Sequence, residues 1–291
     1  VETNDIAESI GSWFATEQRD LPWRGSDVPA WGVLVSEFML QQTPAARVIE
    51  PYLTWMKRWP NPADLAAAAA GDAVRAWANL GYPRRALWLH ACATTITDDF
   101  GGRVPNSVAE LEALPGIGPY TARAVAVFAF RAHEPVVDTN VRRVIARWLH
   151  GRSDQEAAST TRDHADMLSV MPPPARSPEF NAGVMELGAR VCTSKAPRCG
   201  DCPISAACAW RAAGYPDTGA RGAAKQARYA GSDRQARGAL LAALRASTGP
   251  VTKTSLERVW SPAAQRDRAL ISLIDDGLVI PLARNRFGLP E

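Results

Sequence analysis

Residues 111–140 read LEALPGIGPYTARAVAVFAFRAHEPVVDTN, and this stretch decides the fold. Ser107 with Glu110 three residues later is a capping box, so a short helix is predicted to begin near Val108. Pro115-Gly116 ends it: proline removes a donor and glycine admits the backbone angles of a sharp turn. Pro119 suits the first position of a following helix, and an apolar face continues that helix to Phe130. The Gly116-Ile117-Gly118 amides would then gather at a helix N-terminus, a site able to hold a phosphate directly or through a cation. An ordinary helix–helix turn is the plainer alternative. Asp138 follows as a lone carboxylate at the start of a third helix, where aspartate is a favoured N-cap.

Outward from this stretch, the 291-residue chain is long enough for two domains, one with a sizeable core. No apolar run is long enough to span a membrane. No signal peptide is recognisable, so a cytoplasmic, nucleoid-associated protein is expected. The net charge of +3 is too small to announce a polyanion partner, but its distribution is uneven. Residues 211–250 hold seven Lys/Arg against two Asp/Glu, and Lys195 and Arg198 lie among the cysteines. Such patches suit nucleic acid, or else a solvated linker.

Four of the five cysteines fall within seventeen positions, as Cys192-x6-Cys199-x2-Cys202-x5-Cys208. That is not a disulfide framework spread over a secreted chain; it suits a metal or cluster in a reducing compartment. Four thiolates this close can surround one iron–sulfur centre, and a structural zinc is the alternative. Cys92 lies in the apolar run LWLHACA and reads as a core thiol. His90, His133, His150 and His164 have no metal-like spacing.

Towards the N-terminus, residues 4–17 form an amphipathic helix with Ile6, Ile10, Trp13 and Phe14 on one face. Residues 31–42, WGVLVSEFMLQQ, are apolar nearly all round, the mark of a buried helix. Glu37 is then a carboxyl held among Val33, Leu34, Met39 and Leu40, where desolvation favours its neutral form. Alternatively it sits on one wet stripe beside Gln41. Further helical stretches are predicted at 65–70, 74–80, 86–96, within 152–177, and at 180–191. Residues 213–231 read as a basic Gly/Ala linker. Beyond it, 232–291 predicts three helices and two short strands.

LPGIGPYTARAV followed by VDTNVRRV resembles the helix-hairpin-helix of base-excision DNA glycosylases, the superfamily of endonuclease III and MutY-type adenine glycosylases. VSEFMLQQT, the LGY turn at 80–82 and the cysteine spacing extend the resemblance over about 6–210. It implies a mainly α fold with a 4Fe-4S loop in residues 1–212, while the three helices and two strands of 232–291 themselves resemble a small winged-helix-like α+β domain. It implies catalytic roles for Glu37, as general acid, and for Asp138, Tyr120 and Asn140. Gln42 and Thr43 would enter the duplex, and Tyr82 would wedge between bases, although plain packing is open for it. Gly116 and Gly118 would grip the backbone, Lys195 and Arg198 would approach phosphates, and Arg24 would help hold the base. Cys192, Cys199, Cys202 and Cys208 would carry the cluster.

The resemblance further implies action on double-stranded DNA that contains a mispair, excising adenine opposite 8-oxoguanine or guanine; the sequence gives no sign of oligomerisation, so a monomer is expected. Superfamily lyases carry a lysine where this chain has Tyr120, and a tyrosine forms no Schiff base, so hydrolysis alone is expected. Three departures stand out. Residues 232–291 are too short and differently patterned for a Nudix-like domain; Ala182 replaces a Gln or Glu; Thr139 replaces a glycine. Thymine-mismatch glycosylases share the tyrosine, so thymine or uracil excision is the alternative activity. A non-catalytic iron–sulfur DNA-binding regulator is a further one. The C-terminal domain is left open to DNA or protein contacts.

Overall fold

A computed structural model describes residues 3–218 and 228–291. They fall in two compact units, one of 3–20, 106–112 and 117–218, the other of 21–105, 113–116 and 228–291. The division along the chain at 212 and 232 is therefore not the spatial one: the C-terminal segment shares a unit with 21–105. The central part of the linker expected at 213–231 lies outside the described residues.

The first unit comprises α1 (Thr3–Glu17), α7 (Val108–Glu112), α8 (Pro119–Phe130), α9 (Thr139–Trp148), α10 (Thr160–Leu168), α11 (Ser177–Arg190) and α12 (Ala209–Ala212). Its core joins Ile6 and Ile10 of α1 to Val141 and Ile145 of α9 and to Phe180, Val184 and Leu187 of α11. Each such side chain contributes about 1.5–3 kcal/mol on full burial. A second tie holds α11 to the segment after α1. Arg19 makes a two-pronged ion pair with the fully buried Glu186, Nε to Oε1 at 2.7 Å and Nη2 to Oε2 at 2.8 Å.

The second unit comprises a single 3-10 turn at Pro22–Arg24, then α2 (Ala30–Leu40), α3 (Ala45–Arg58), α4 (Pro62–Ala66), α5 (Ala70–Ala76) and α6 (Arg84–Asp99). The C-terminal segment adds α13 (Asp233–Ala246), β1 (Val251–Thr252), α14 (Lys253–Val259), α15 (Ala263–Asp275), β2 (Ile280–Leu282) and β3 (Arg286–Gly288). The strands pair antiparallel in the order β1-β3-β2, and with the three helices they form the small winged-helix-like arrangement expected. Aromatic edges fill the first part of this unit: Trp55 meets Trp59 and Trp77 edge-on at 4.7 and 5.7 Å.

Most predicted helices form with ends shifted by a few residues. The capping box is present, with the Glu110 amide donating to Ser107 Oγ at 3.2 Å and the Ser107 hydroxyl to Glu110 Oε2 at 2.6 Å. Two helices were not anticipated: the single-turn α12 beyond the last cysteine, and α3, which runs through Pro51, whose missing N–H disguises a helix that buries Val48, Tyr52 and Trp55. Strand β1 was not anticipated either, since two residues carry no alternation. No helix among the described residues is long and apolar enough to cross a membrane.

Candidate active site and cysteine loop

Glu37 lies on α2, a helix with every residue from Trp31 to Met39 buried. The residue is itself only 6 % exposed, so Glu37 is buried and does not lie on a wet stripe. The helix end just beyond Glu37 is held by Arg85 of α6. That guanidinium, 3 % exposed, donates to Phe38 O at 2.6 Å, Met39 O at 3.4 Å, Thr43 Oγ1 at 3.2 Å and Gly81 O at 2.7 Å. Burial lowers its pKa to about 10, against a raising effect from Tyr82. One arginine thus ties the helix carrying Glu37 to the loop after it and to the turn before Tyr82.

Of the two loop residues expected at DNA, Gln42 is exposed, with a left-handed φ of 53°. Thr43 is turned inward, 7 % exposed, its hydroxyl donating to Gln41 O at 3.3 Å and accepting from Arg85. Tyr82 is 55 % exposed and also left-handed, with Arg85 5.6 Å from its ring centroid. Arg24 closes the 3-10 turn and is half-buried. Gly116 has a φ of +77°, and a Cβ there would stand 2.7 Å from Trp88 and 3.0 Å from Phe38. The glycine is needed both for the turn and for the approach of α6 and α2. Gly118, the N-cap of α8, has open space where a Cβ would go.

In the other unit, Asp138 is the N-cap of α9. Its Oδ1 accepts from the Val141 amide at 2.7 Å and its Oδ2 from Asn140 Nδ2 at 2.8 Å. Both oxygens are therefore held by donors, and the cap fixes the direction of the carboxylate. Asn140 is held in turn by Arg143, which donates to Asn140 Oδ1 at 2.9 Å, Gly188 O at 2.6 Å and Cys192 O at 2.7 Å. Gly188 is the reason α9 and α11 come this close: a Cβ there would stand 2.8 Å from Asn140. Tyr120, at the start of α8, packs against Ala124, Val127 and Val136.

Cys192, Cys199, Cys202 and Cys208 line one small cavity with Arg147, Val191 and Trp210. Arg147 donates to Cys192 Sγ at 3.3 Å and lies 4.6 Å from the Trp210 ring centroid. Burial pushes the Cys202 thiol up to about 11, and neighbouring sulfurs push it the same way. Among the described residues the thiols do not converge into a closed metal site. The donor set, four sulfurs in one cavity with a cation beside them, is of the kind that holds a thiolate-bound cluster or metal. Cys92 is a fully buried core thiol, its pKa raised by burial to about 12. Lys195 and Arg198 are exposed, Arg198 pairing with Asp201 at 3.6 Å.

Residues 35–168 match the model of the HhH-GPD superfamily of base excision DNA repair proteins. The chain is 54 % identical over 280 residues to the adenine DNA glycosylase of Mycobacterium tuberculosis (strain ATCC 25618 / H37Rv), covering 96 % of this chain and 91 % of that protein. The chain belongs to the adenine DNA glycosylase family. A thermostable thymine-DNA glycosylase is similar in structure, with a TM-score of 0.66 and 27 % identity, over 72 % of this chain and 97 % of that one. An endonuclease III trapped covalently on DNA shares the fold, with a TM-score of 0.62 at 20 % identity, over 74 % of this chain and 100 % of that one. For a member of this family, the side chains that sequence reasoning passed over are Arg85, Arg143 and Gly188. They act on backbone or through a neighbour, and an arginine bordering an apolar run was the sole signal of the first.

Proposed function

We propose that the chain is a monofunctional adenine DNA glycosylase of base excision repair, acting on double-stranded DNA in which adenine is mispaired with 8-oxoguanine or guanine. The observation that carries this reading is the burial of Glu37 in an apolar helix of a member of the adenine DNA glycosylase family. The adenine is extruded from the duplex, with Tyr82 entering the stack and Gln42 meeting the bases. Glu37 protonates the base, most simply at N7, so that it leaves as a neutral group. Asp138 stabilises the positive charge that grows at C1′ as the bond breaks, the two-carboxylate logic of glycoside hydrolysis. Water then completes an abasic site.

Asn140 and Arg143 fix the direction of the Asp138 carboxylate. Tyr120 stands where a Schiff-base lysine would be needed, so strand cleavage is not part of the reaction. Gly116 and Gly118 approach a phosphate, Lys195 and Arg198 meet the backbone beside the cysteines, and Arg24 helps hold the base. The four cysteines would hold a 4Fe-4S cluster. When bound, it cross-links the loop that follows α11 and offers a one-electron centre. Iron and labile sulfide of about four each per chain would support the cluster, and one zinc per chain would refute it.

A second reading, thymine or uracil excision from mismatches, is favoured by Tyr120, which thymine-mismatch glycosylases share, and by the likeness to the thymine-DNA glycosylase structure. Single-turnover base release separates the two, using duplexes with A opposite 8-oxoguanine, A opposite G, T opposite G and U opposite G. Release of adenine from the first two supports the proposal. Release of thymine or uracil alone would move the substrate and keep the carboxylates.

A further inference from the structure

The turn that carries Tyr82 is strained and held from several sides. Ala78 and Tyr82, at its two ends, have φ of 45° and 54°, a region costly for any residue with a Cβ. Its carbonyls are the handles: Asn79 O accepts from Arg47 at 2.7 Å, and Gly81 O accepts from Arg85 at 2.7 Å and from Trp77 Nε1 at 3.2 Å. The Ala78 carbonyl is taken by Arg245, which belongs to α13 of the C-terminal segment.

Arg245 is an expensive residue to place there. Its Nε and Nη2 are buried with no hydrogen-bond partner among the described residues. A buried guanidinium with unfilled donors opposes folding, so the tie to Ala78 is made at a cost that an apolar side chain would avoid. Around it the C-terminal segment grips both flanks of the same turn. Arg75 of α5 donates to Ser247 O at 3.0 Å, and the Gly71 amide to Pro290 O at 2.7 Å. On the far side, Arg84 of α6 meets Asp276 at 3.4 Å, which Arg237 of α13 holds at 2.6 Å.

We propose that the C-terminal segment braces the Tyr82 turn, and that Arg245 is the positioning residue through which it does so. The segment that follows the glycosylase core thereby tunes insertion into the duplex without touching the base. This rests on the reading of Tyr82 as a wedge, and the test separates the two.

Arg245→Met keeps the apolar stem and drops the donors; Arg245→Lys keeps one donor for the carbonyl. Arg245→Gln, polar but too short to reach it, is carried in parallel so that a folded protein lacking the tie is available. Each is made alone and with Tyr82→Ala, in the full chain. Single-turnover adenine release, the fluorescence of 2-aminopurine beside the mispair and the Tm are measured for all. Arg245→Met or Arg245→Gln is expected to slow both extrusion and release about tenfold, with Tm held or raised, and to add nothing in the Tyr82→Ala background. Arg245→Lys is expected to stay near the wild-type rate. Losses that multiply in the two backgrounds, or an Arg245→Lys protein as slow as Arg245→Met, would overturn the brace. Tyr82→Ala at the wild-type rate would overturn the wedge, and the brace with it.

Discussion

The Glu37 unit and the Asp138 unit hold their carboxyl-bearing helices in different ways. Around Glu37, Arg85 works mainly on backbone, taking the carbonyls of Phe38, Met39 and Gly81. It fixes where the helix that carries Glu37 ends. Around Asp138, the hold reaches the carboxylate itself, from Arg143 through Asn140 to Oδ2. The first hold acts on the backbone that carries the carboxyl, and the second acts on the carboxylate itself.

The largest stability effect should sharpen this contrast in the Asp138 unit. Arg19→Met removes the two-pronged guanidinium from the fully buried Glu186, while the residue-19 amide still donates to it. A loss of about 3–5 kcal/mol is expected in denaturant unfolding, and a loss under 1 kcal/mol would show that Glu186 is served elsewhere. Next come the paired variants Arg85→Met and Arg143→Met, each leaving buried carbonyls without donors at about 1–3 kcal/mol apiece. Their kinetics should differ. At a temperature where both are folded, Arg143→Met slows adenine release by freeing Asp138, while Arg85→Met acts chiefly on DNA engagement through the 41–43 loop. Equal profiles would erase the contrast.

Two glycines repeat the comparison on a smaller scale. Gly116→Ala meets Trp88 and Phe38 at a φ of +77°, and Gly188→Ala meets Asn140. Each is expected to cost about 1–3 kcal/mol by overpacking, with Gly116→Ala the worse. Only Gly188→Ala should also slow base release. Gly118→Ala, which meets nothing, is the control.

The smallest effect is a pH dependence. Burial, then Arg123, lowers the pKa of His164 from its ordinary 6.5. The unfolded chain therefore binds the proton more readily, so this stabilisation is complete above pH 6.5 and is lost as pH falls through the depressed folded value. His164→Gln should flatten the decline of stability below pH 6.5; an unchanged slope would assign it to other groups.

Much of this could be read without coordinates because its signals are local. The capping box at Ser107, Pro119 at the head of α8, the cap at Asp138 and the cysteine spacing depend only on neighbours along the chain. The apolar run around Glu37 left burial and a wet stripe both open, and the resemblance of VSEFMLQQT decided for burial. Helix α3 escaped because Pro51 imitates a breaker, and Thr43 looked like a surface residue because a hydroxyl gives no sign of which way it faces. Arg85, Arg143 and Arg245 escaped for a shared reason. An arginine that donates mainly to carbonyls has no charged partner for a pattern to display, and its acceptors lie up to 167 positions away. The grouping of 228–291 with 21–105 depends on such ties.

The most direct test of the central claim is single-turnover adenine release from a duplex with A opposite 8-oxoguanine by wild type, Glu37→Gln and Asp138→Asn. Asparagine retains the α9 cap and glutamine retains the volume of Glu37, so both variants should fold and bind the duplex. Wild type is expected to release adenine, and each variant to be slower by about 10²–10⁴-fold. Near-wild-type release by either folded variant would contradict the assignment of the two carboxylates.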